Sequence, residues 1–542
     1  MENAHGFHAL GVVGSGAMGR GIAQLFAQAG VPTKLFDSHL PALAAAVQSI
    51  HEGWQSLCAK GRLSPEAMDQ ARSMLQPLER IEDLKDCDLV IEAIVEEIGA
   101  KKELFRVLEA IAQPHAVLAS NTSSLSITAL ANGLQVPERV VGLHFFNPVP
   151  LMRVVEVVAG ARTAPHLPVR LAQLVEASGH RAVLCSDTPG FIVNHAGRAY
   201  VTEALKILGE KIAPFHVVDR ILREQVTFGG QGFRLGPFEL LDLTGLDVSH
   251  LVMESIYTQF YHEARFRPSV ITAQRNAAGL LGRKSSEGFY AYRQGGKVVP
   301  DWPWPSAVTA PAEEPGPSDP PVWIAPLPPA QPAGVFEDLV QYFMRAGVRL
   351  CGAQARTSAG GADPGPSPAN PPEDALILLC PLGEDASAMA TRLGVDARRA
   401  MALDTLFAFG WGQCKLRCLM STPATSQDVQ NAAYRMFSRD GAALAILQDS
   451  PGFVSQRILA MIVAIACDMA QQAVGSPQDI DDAVRIGLAY PAGPLSMGDA
   501  LGAARIHAVL TAMHACTADP RYRPSPWLRR RADLNLKLLV QA

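Results

Sequence analysis

The chain has 542 residues, of which 48% are hydrophobic, and a formal net charge of −5 from 47 basic and 52 acidic residues. At roughly 100 to 200 residues per domain, this length predicts about three or four domains with cores of their own. Because basic and acidic residues are mixed, the composition indicates neither a nucleic-acid partner nor binding to an anionic membrane. The nine cysteines include no Cys-x-x-Cys pair, so we expect reduced thiols in a cytoplasmic protein, and no metal site.

A glycine-rich turn follows the first apolar segment of the chain. His8–Val13 predicts a short buried strand, and the sequence GSGAMG then opens a helix from about Arg20 to Ala29. A G-x-G-x-x-G turn between a strand and a helix is typical of dinucleotide-binding sites, because it lets the backbone approach a pyrophosphate at the helix N-terminus. We expect the following residues of this turn to contact the cofactor: Gly14, Gly16, Ala17, Met18 and Gly19.

An acidic residue follows the second predicted strand. Thr33–Phe36 ends at Asp37, where a carboxylate would accept hydrogen bonds from an adenosine ribose. Because that carboxylate would repel a 2′-phosphate, the sequence favours NAD over NADP. The alternative is a glycine-rich turn in an unrelated α/β domain, with Asp37 as an ordinary turn residue.

Two further apolar segments end in polar residues. Asp88–Glu96 and Ala116–Ser124 each predict a buried strand followed by a polar turn. Because the carboxyl ends of parallel strands share one rim, Glu96 and Ser123 should lie on the same side of the sheet as the glycine-rich turn. Taken alone, Ser123 could equally be a helix N-cap.

A histidine and a glutamate both lie in apolar surroundings. His144 belongs to the segment Gly142–Pro150, and Glu156 lies inside the apolar strand Val154–Val158. Burying two ionisable groups costs free energy unless they are paired, and a carboxylate that holds an imidazole fixes its tautomer for proton abstraction. The pair is therefore a candidate general base with its orienting group. Without the surrounding motifs, a loop histidine and a strand-edge glutamate would be the simpler interpretation.

With these motifs the sequence resembles the L-3-hydroxyacyl-CoA dehydrogenase family, from about Leu10 to Tyr292. Besides the glycine-rich turn, the shared segments are Glu92–Glu96, Ser120–Ser124, His144–Pro148, Asp187–Asn194, Gly236–Phe238 with Asp242, and Gly288–Tyr290. The resemblance implies an enzyme that oxidises an L-3-hydroxyacyl-CoA to the 3-ketoacyl-CoA with NAD. It also implies an α/β Rossmann-type NAD-binding domain followed by an all-α C-terminal domain.

The same resemblance implies roles for individual residues. His144 would be the general base that takes the hydroxyl proton, and Glu156 would orient it. Ser123 and Asn194 would hydrogen-bond the substrate, although Asn194 alone would be interpreted as a polar residue at a helix start. Besides the turn, the positions that would contact NAD are Asp37, Glu96, Lys101, Ser123 and Asn147.

The second half of the chain repeats the order of features of the first half. The matching pairs are Asp187–Ile192 with Asp449–Val454, Leu235–Phe238 with Tyr490–Leu495, and Asp88–Glu92 with Ala375–Leu379. We predict a tandem duplication in which the second copy of both domains is degenerate. The predicted boundaries are 1–186 for the NAD-binding domain, 187–295 for the helical domain, 296–332 for a Pro-rich linker, 333–448 for the degenerate Rossmann-like domain and 449–542 for the second helical domain.

The second copy lacks the residues that the chemistry needs. Asp404 aligns with His144, and the region of Glu156 has become Lys415–Arg417. The Pro-rich segment Ala325–Pro332 replaces the glycine-rich turn and offers few N–H groups to a pyrophosphate. We expect one active site per chain, in the first copy, with the second copy acting as an internal dimer partner. The sequence leaves further homo-oligomerisation open.

Other functions remain open at this point. An oxidoreductase of the same architecture could act on a free hydroxy acid or sugar acid, and a non-catalytic NAD- or CoA-binding relative would keep the fold alone. An intact pair of His144 and Glu156 argues against the non-catalytic alternative. The two-copy layout resembles bacterial 3-hydroxybutyryl-CoA and 3-hydroxyadipyl-CoA dehydrogenases, which implies a short or dicarboxylic acyl chain on the CoA thioester.

Overall fold

The computed structural model describes residues 6–293, 296–303, 319–332, 334–351, 370–407 and 415–540. The chain divides into two compact units. One unit holds the chain through Ala196 together with Met469–Gly493, and the other holds Gly197–Asp468 together with Pro494–Val540. Each unit therefore contains segments from both halves of the sequence, and the units do not follow the five predicted domain boundaries.

Strands form two main sheets and one hairpin. The strands are β1 (Leu10–Val13), β2 (Thr33–Phe36), β3 (Leu75–Leu78), β4 (Leu89–Glu92), β5 (Val117–Ser120), β6 (Val140–Phe145), β7 (Val154–Ala159), β8 (Arg181–Ser186), β9 (Ala291–Arg293), β10 (Gly296–Val298), β11 (Val322–Ile324), β12 (Leu376–Leu379), β13 (Ala400–Leu403), β14 (Leu416–Ser421) and β15 (Ala443–Leu447). The first sheet has the order β3-β2-β1-β4-β5-β6-β7-β8, the second has the order β11-β12-β13-β14-β15, and β9 pairs with β10.

Helices connect the strands along the chain. The first copy contains α1 (Ala17–Gln28), α2 (Leu40–Ala59), α3 (Pro65–Met74), α4 (Ile98–Ile111), α5 (Ile127–Ala131), α6 (Leu167–Ala177), α7 (Val193–Gly209), α8 (Phe215–Glu224), α9 (Pro237–Thr244), α10 (Leu246–Gln259) and α11 (Val270–Ala277). The second copy contains α12 (Gly334–Arg345), α13 (Ala386–Leu393), α14 (Gln427–Phe437), α15 (Val454–Gln471), α16 (Pro477–Gly487), α17 (Pro494–Leu501), α18 (Ala503–Thr517) and α19 (Pro526–Asp533).

The first sheet is parallel except for one pair. β6 and β7 run antiparallel, and their register sets His144 opposite Glu156. Most of the strand residues are buried, as expected for a sheet that helices cover on both faces, and the two exposed ones, Gln76 and Pro77, lie in the edge strand β3. At the turn after β1, Gly14 has φ of 101°, and a side chain there would meet the Ala93 carbonyl oxygen at 2.5 Å. This close approach explains why the first glycine of the turn is needed.

The second sheet corrects two predictions. β11 lies inside the segment predicted as the linker, and its residues are fully buried, so this sheet begins before residue 333. β12 pairs with β13, with Leu379 opposite Ala402, as Ser120 pairs with Gly142 between β5 and β6. The predicted parallel with Asp88–Glu92 is therefore wrong, because β12 stands in the place of β5. Apolar strands of similar length carry too little information to be told apart by sequence.

The register also identifies the partner of Asp404. Asp404 N–H donates to the Cys418 carbonyl oxygen at 3.0 Å, which continues the antiparallel pairing of β13 with β14. Cys418 therefore occupies the position of Glu156, one residue beyond the predicted Lys415–Arg417.

Residues 304–318 of the predicted linker lie outside the described residues, while residues 296–298 form β10 in a hairpin. Among the described helices, α15 alone is long and apolar enough to cross a membrane by length and composition, and 83% of it is buried inside the protein.

Candidate active site

His144 and Glu156 form a buried pair at the end of β6 and β7. The His144 Nδ1 atom lies 2.6 Å from Glu156 Oε2, and the two residues are 4% and 0% exposed. Because Glu156 occupies Nδ1, the other ring nitrogen, Nε2, is the one left for a substrate. The His144 ring also contacts the Phe146 ring, with centroids 4.4 Å apart, so its plane is fixed by packing as well.

The second carboxylate oxygen of Glu156 is held by the backbone. Glu156 Oε1 accepts hydrogen bonds from Ile192 N–H at 2.9 Å and Val193 N–H at 2.8 Å. A buried carboxylate with both oxygens engaged avoids the free energy cost of an unpaired charge. Val193 begins α7, so the same contacts locate Asn194, the next residue, in the first turn of that helix.

A cavity of about 340 Å³ opens beside this pair. It is lined by Met18, Ala93, Ile94, Glu96, Lys101, Asn121, Ser123, His144, Phe145, Phe146 and Asn147. Six of the predicted site residues, Met18, Glu96, Lys101, Ser123, His144 and Asn147, thus share one cavity. Asn194 is half-buried but does not line it.

Glu96 is cradled by the turn after β5. Its Oε1 atom accepts from Thr122 Oγ1 at 2.7 Å, from Ser123 N–H at 2.9 Å and from Ser124 N–H at 3.1 Å. Burial raises the pKa of Glu96, but the Thr122 bond and the Lys101 ammonium outweigh it, and the net pKa is lowered. Ser123 is not a helix N-cap, because Ser126 caps α5 instead.

Lys101 has a partner that sequence reasoning missed. Its side chain is 1% exposed, and its ammonium lies 2.5 Å from Glu92 Oε1 and 3.2 Å from Glu96 Oε2. Glu92 is the last residue of β4 and is 0% exposed. The sequence did hold a signal for this pair. Glu92 ends an otherwise apolar buried strand, and a buried charge of this kind needs a partner.

The glycine-rich turn fits a dinucleotide. A side chain at Gly19 would meet the Gly14 carbonyl oxygen at 1.8 Å, whereas one at Gly16 would meet nothing within 4 Å. Gly14 and Gly19 are therefore required by packing, while Gly16 faces open space at the N-terminus of α1. Ala17 begins α1, whose free N–H groups suit a pyrophosphate.

Hydrogen bonds fix the carboxylate of Asp37, the residue that follows β2. Its Oδ2 atom accepts from Ser15 N–H and Ser15 Oγ, both at 2.7 Å, and Oδ1 accepts from His39 N–H at 2.9 Å. Burial raises the pKa of Asp37, but these hydrogen bonds outweigh it, so the pKa is lowered and the carboxylate stays ionised near neutral pH. This position and charge fit a ribose and oppose a 2′-phosphate.

In the second copy, the equivalent position is filled by protein. Asp404 is 5% exposed, and burial raises its pKa. Its carboxylate accepts from Ser455 Oγ, from Gln225 Nε2 at 2.9 Å and from Gln456 Nε2 at 3.0 Å. Asp404 is therefore hydrogen-bonded by polar side chains, whereas His144, at the equivalent position of the first copy, borders a cavity.

Comparison with protein-family models matches most of the chain. The NAD-binding domain of 3-hydroxyacyl-CoA dehydrogenases matches residues 9–188, and the C-terminal domain of the same family matches twice, at 190–292 and 452–537. The chain belongs to the 3-hydroxyacyl-CoA dehydrogenase family. It is an NAD-dependent oxidoreductase, and the double match of the C-terminal domain agrees with a duplicated helical domain.

Individual relatives match this dehydrogenase over nearly the whole chain or over about half of it. The 3-hydroxyadipyl-CoA dehydrogenase of Escherichia coli is 35% identical over 96% of this chain and 97% of its own length. The crystal structure of 3-hydroxybutyryl-CoA dehydrogenase from E. coli K12 superposes with a TM-score of 0.79 at 33% identity, covering 97% of this chain and 98% of that one. A probable 3-hydroxybutyryl-CoA dehydrogenase of Deinococcus radiodurans is 38% identical over 52% of this chain and 99% of its own length.

Proposed function

We propose that this dehydrogenase oxidises L-3-hydroxyacyl-CoA thioesters with a short or dicarboxylic acyl chain, using His144 as the general base. The observation that carries the proposal is the 2.6 Å contact of His144 Nδ1 with buried Glu156 at the edge of the cavity. A non-catalytic relative would have no use for a buried, carboxylate-held imidazole that faces a cavity.

The chemistry follows from the residues around that imidazole. A bound NAD would supply the acceptor for the hydride of the hydroxyl carbon. His144 Nε2 takes the hydroxyl proton, and Glu156 keeps the proton of the neutral ring on Nδ1 and stabilises the imidazolium that forms. Ser123, which lines the cavity, would hold the substrate oxygen so that its proton points at His144, and Asn194 would assist from the first turn of α7 beside that cavity's general base. Glu96 and Lys101 would hold the nicotinamide ribose, and Asp37 would hold the adenosine ribose.

The substrate class rests on relatives and not on a particular residue. The relative that matches over 96% of the chain is named for 3-hydroxyadipyl-CoA, and the full-length structural relative is named for 3-hydroxybutyryl-CoA. We infer that one of these thioesters, or a close analogue, is the substrate of this chain, and that the enzyme works in the cytoplasm.

The reverse reaction tests this proposal against the free-acid alternative. NADH oxidation by the full chain is followed with acetoacetyl-CoA, 3-oxoadipyl-CoA and free acetoacetate. We expect turnover with at least one thioester and at least about 10³-fold lower kcat/KM with the free acid, because CoA binding energy is lost. Equal kcat/KM for acetoacetate and acetoacetyl-CoA would contradict a thioester enzyme.

We also propose that the second copy serves as an internal dimer partner and that the first copy holds the single active site. Contacts within the first unit support this role. Helix α16 of the second copy packs on β8, and Arg181 pairs with Asp479 at 2.8 Å and with Asp482 at 3.1 Å. A separate second subunit would otherwise have to supply this covering helix.

A further inference from the structure

The buried carboxylate of Glu92 has no place in the reaction described so far. It accepts hydrogen bonds from Ile94 N–H at 2.8 Å, Ser120 Oγ at 2.6 Å and Lys101 Nζ at 2.5 Å. Ser120 Oγ itself accepts from Thr122 N–H at 3.2 Å, so the hydroxyl proton points at Glu92. A carboxyl group that accepts three hydrogen bonds and faces an ammonium has the pattern of the ionised form.

Lys101 links this carboxylate to the cavity. Its ammonium lies between Glu92 and Glu96, and Glu96 is 38% exposed on the cavity side. Two carboxylates therefore share one ammonium, and the cluster of Glu92, Lys101 and Glu96 carries a formal charge of −1. Without Glu92, Lys101 would neutralise Glu96 completely.

We propose that Glu92 is a positioning residue that keeps this cluster negative and thereby favours binding of oxidised over reduced cofactor. The inference rests on the proposed function, which puts the nicotinamide end of NAD beside Glu96. The nicotinamide ring is positively charged in NAD⁺ and neutral in NADH, while the rest of the two molecules is the same. A nearby unit of negative charge in a partly desolvated cavity therefore stabilises NAD⁺ selectively.

If charge is the cause, two substitutions that each remove one charge should change the ratio of the two affinities in opposite directions. Glu92→Gln brings the cluster to neutrality and should raise the ratio of Kd for NAD⁺ to Kd for NADH on the order of tenfold. Adding Lys101→Gln to it leaves only the Glu96 charge, so the double variant returns the cluster to −1. Its ratio should lie within about threefold of the wild-type ratio, even if both affinities are lower.

The measurement is equilibrium binding to the full chain without substrate. NADH fluorescence gives the Kd for NADH, and competition by NAD⁺ gives the Kd for NAD⁺. Thermal unfolding confirms that each variant is folded. Should Glu92→Gln not fold, Glu96→Gln makes the same change in charge at a partly exposed position, and the same rise of the ratio is expected.

The outcomes distinguish an effect of the Glu92 charge from a role of Glu92 in packing. A raised ratio in Glu92→Gln that the double variant restores supports the proposal. Equal weakening of both nucleotides, or a ratio that the double variant leaves raised, overturns it and makes Glu92 a packing residue only. If the wild-type chain binds neither nucleotide, the proposed cofactor site itself is wrong, and the inference fails with it.

Discussion

At the scale of single residues, the site depends on how hydrogen bonds orient the ionisable groups. Glu156 has one oxygen on His144 and the other on the N–H groups of Ile192 and Val193, so it cannot rotate without losing these three hydrogen bonds. Asp37 is fixed in the same way by Ser15 and His39. In both cases, the residues that donate hydrogen bonds to the carboxylate fix its position and therefore the position of its negative charge.

Asp37 should set the choice between NADH and NADPH. Asp37→Ser removes the charge that repels a 2′-phosphate, so kcat/KM should fall about tenfold with NADH and rise with NADPH. Because the Asp37 pKa is lowered, the carboxylate stays ionised down to its ordinary range near 3.8, and the wild-type preference should be constant between pH 6 and about 8. Steady-state rates with both nucleotides check this. An unchanged preference in Asp37→Ser would contradict the role.

At the scale of elements, α16 of the second copy contacts the junction that holds Glu156. A side chain at Gly487, the last residue of α16, would lie 3.0 Å from Val193 and 3.4 Å from Val154. Val193 is one of the two residues whose N–H groups donate to Glu156. The helix therefore supports the general base through one layer of packing.

Gly487→Val should disturb this support. Overpacking of about 1–3 kcal/mol should push Val193 away from Glu156 and lower kcat several-fold. The matched control is Gly53→Val on α2, where a side chain would meet only the flexible Gln24 amide, at 3.5 Å. Comparing kcat and the unfolding temperature of both variants checks this prediction. Equal kcat values for the two variants would rule out support by α16.

The sequence predicted contacts within local motifs but few contacts between separate elements. The glycine-rich turn and Asp37 belong to local motifs whose spacing predicted the strand and helix beside them, whereas the pairing of His144 with Glu156 was favoured only together with the surrounding motifs. The pair of Glu92 and Lys101 joins a strand end to a helix, and no local pattern specifies that contact. Likewise, Cys418 became the partner of Asp404 only through strand register, since a shift of one residue changes which side chains face each other.

At the scale of the whole molecule, the two copies depend on each other within each unit. Glu203 on α7 is 0% exposed and accepts from Arg457 Nε and Tyr522 OH of the second copy, both at 2.8 Å. Burial raises the pKa of Glu203, but Arg457 and Arg521 outweigh it, so the pKa is lowered. Its contribution to stability is present above the ordinary pKa and is lost as the pH falls through the lowered value.

Removing residues 320–542 should therefore leave a first copy that is not a stable, soluble monomer. Glu203 would lose its cations, and β8 would lose its covering helix, so apolar and charged surface would be exposed together. We expect an insoluble or newly dimeric fragment, measured by size-exclusion chromatography and activity. A stable, active monomer would contradict the role of the second copy as an internal partner.

The most direct measurement is the rate of NADH oxidation with acetoacetyl-CoA by the wild type, His144→Gln and the position-matched Asp404→Asn. We expect kcat to fall about 10²–10⁴-fold in His144→Gln with NADH binding retained, because the proposed general base is gone. Asp404→Asn should keep near wild-type kcat, provided that thermal unfolding confirms its fold. Full activity of His144→Gln, or a comparable loss in a folded Asp404→Asn, would contradict a single active site in the first copy.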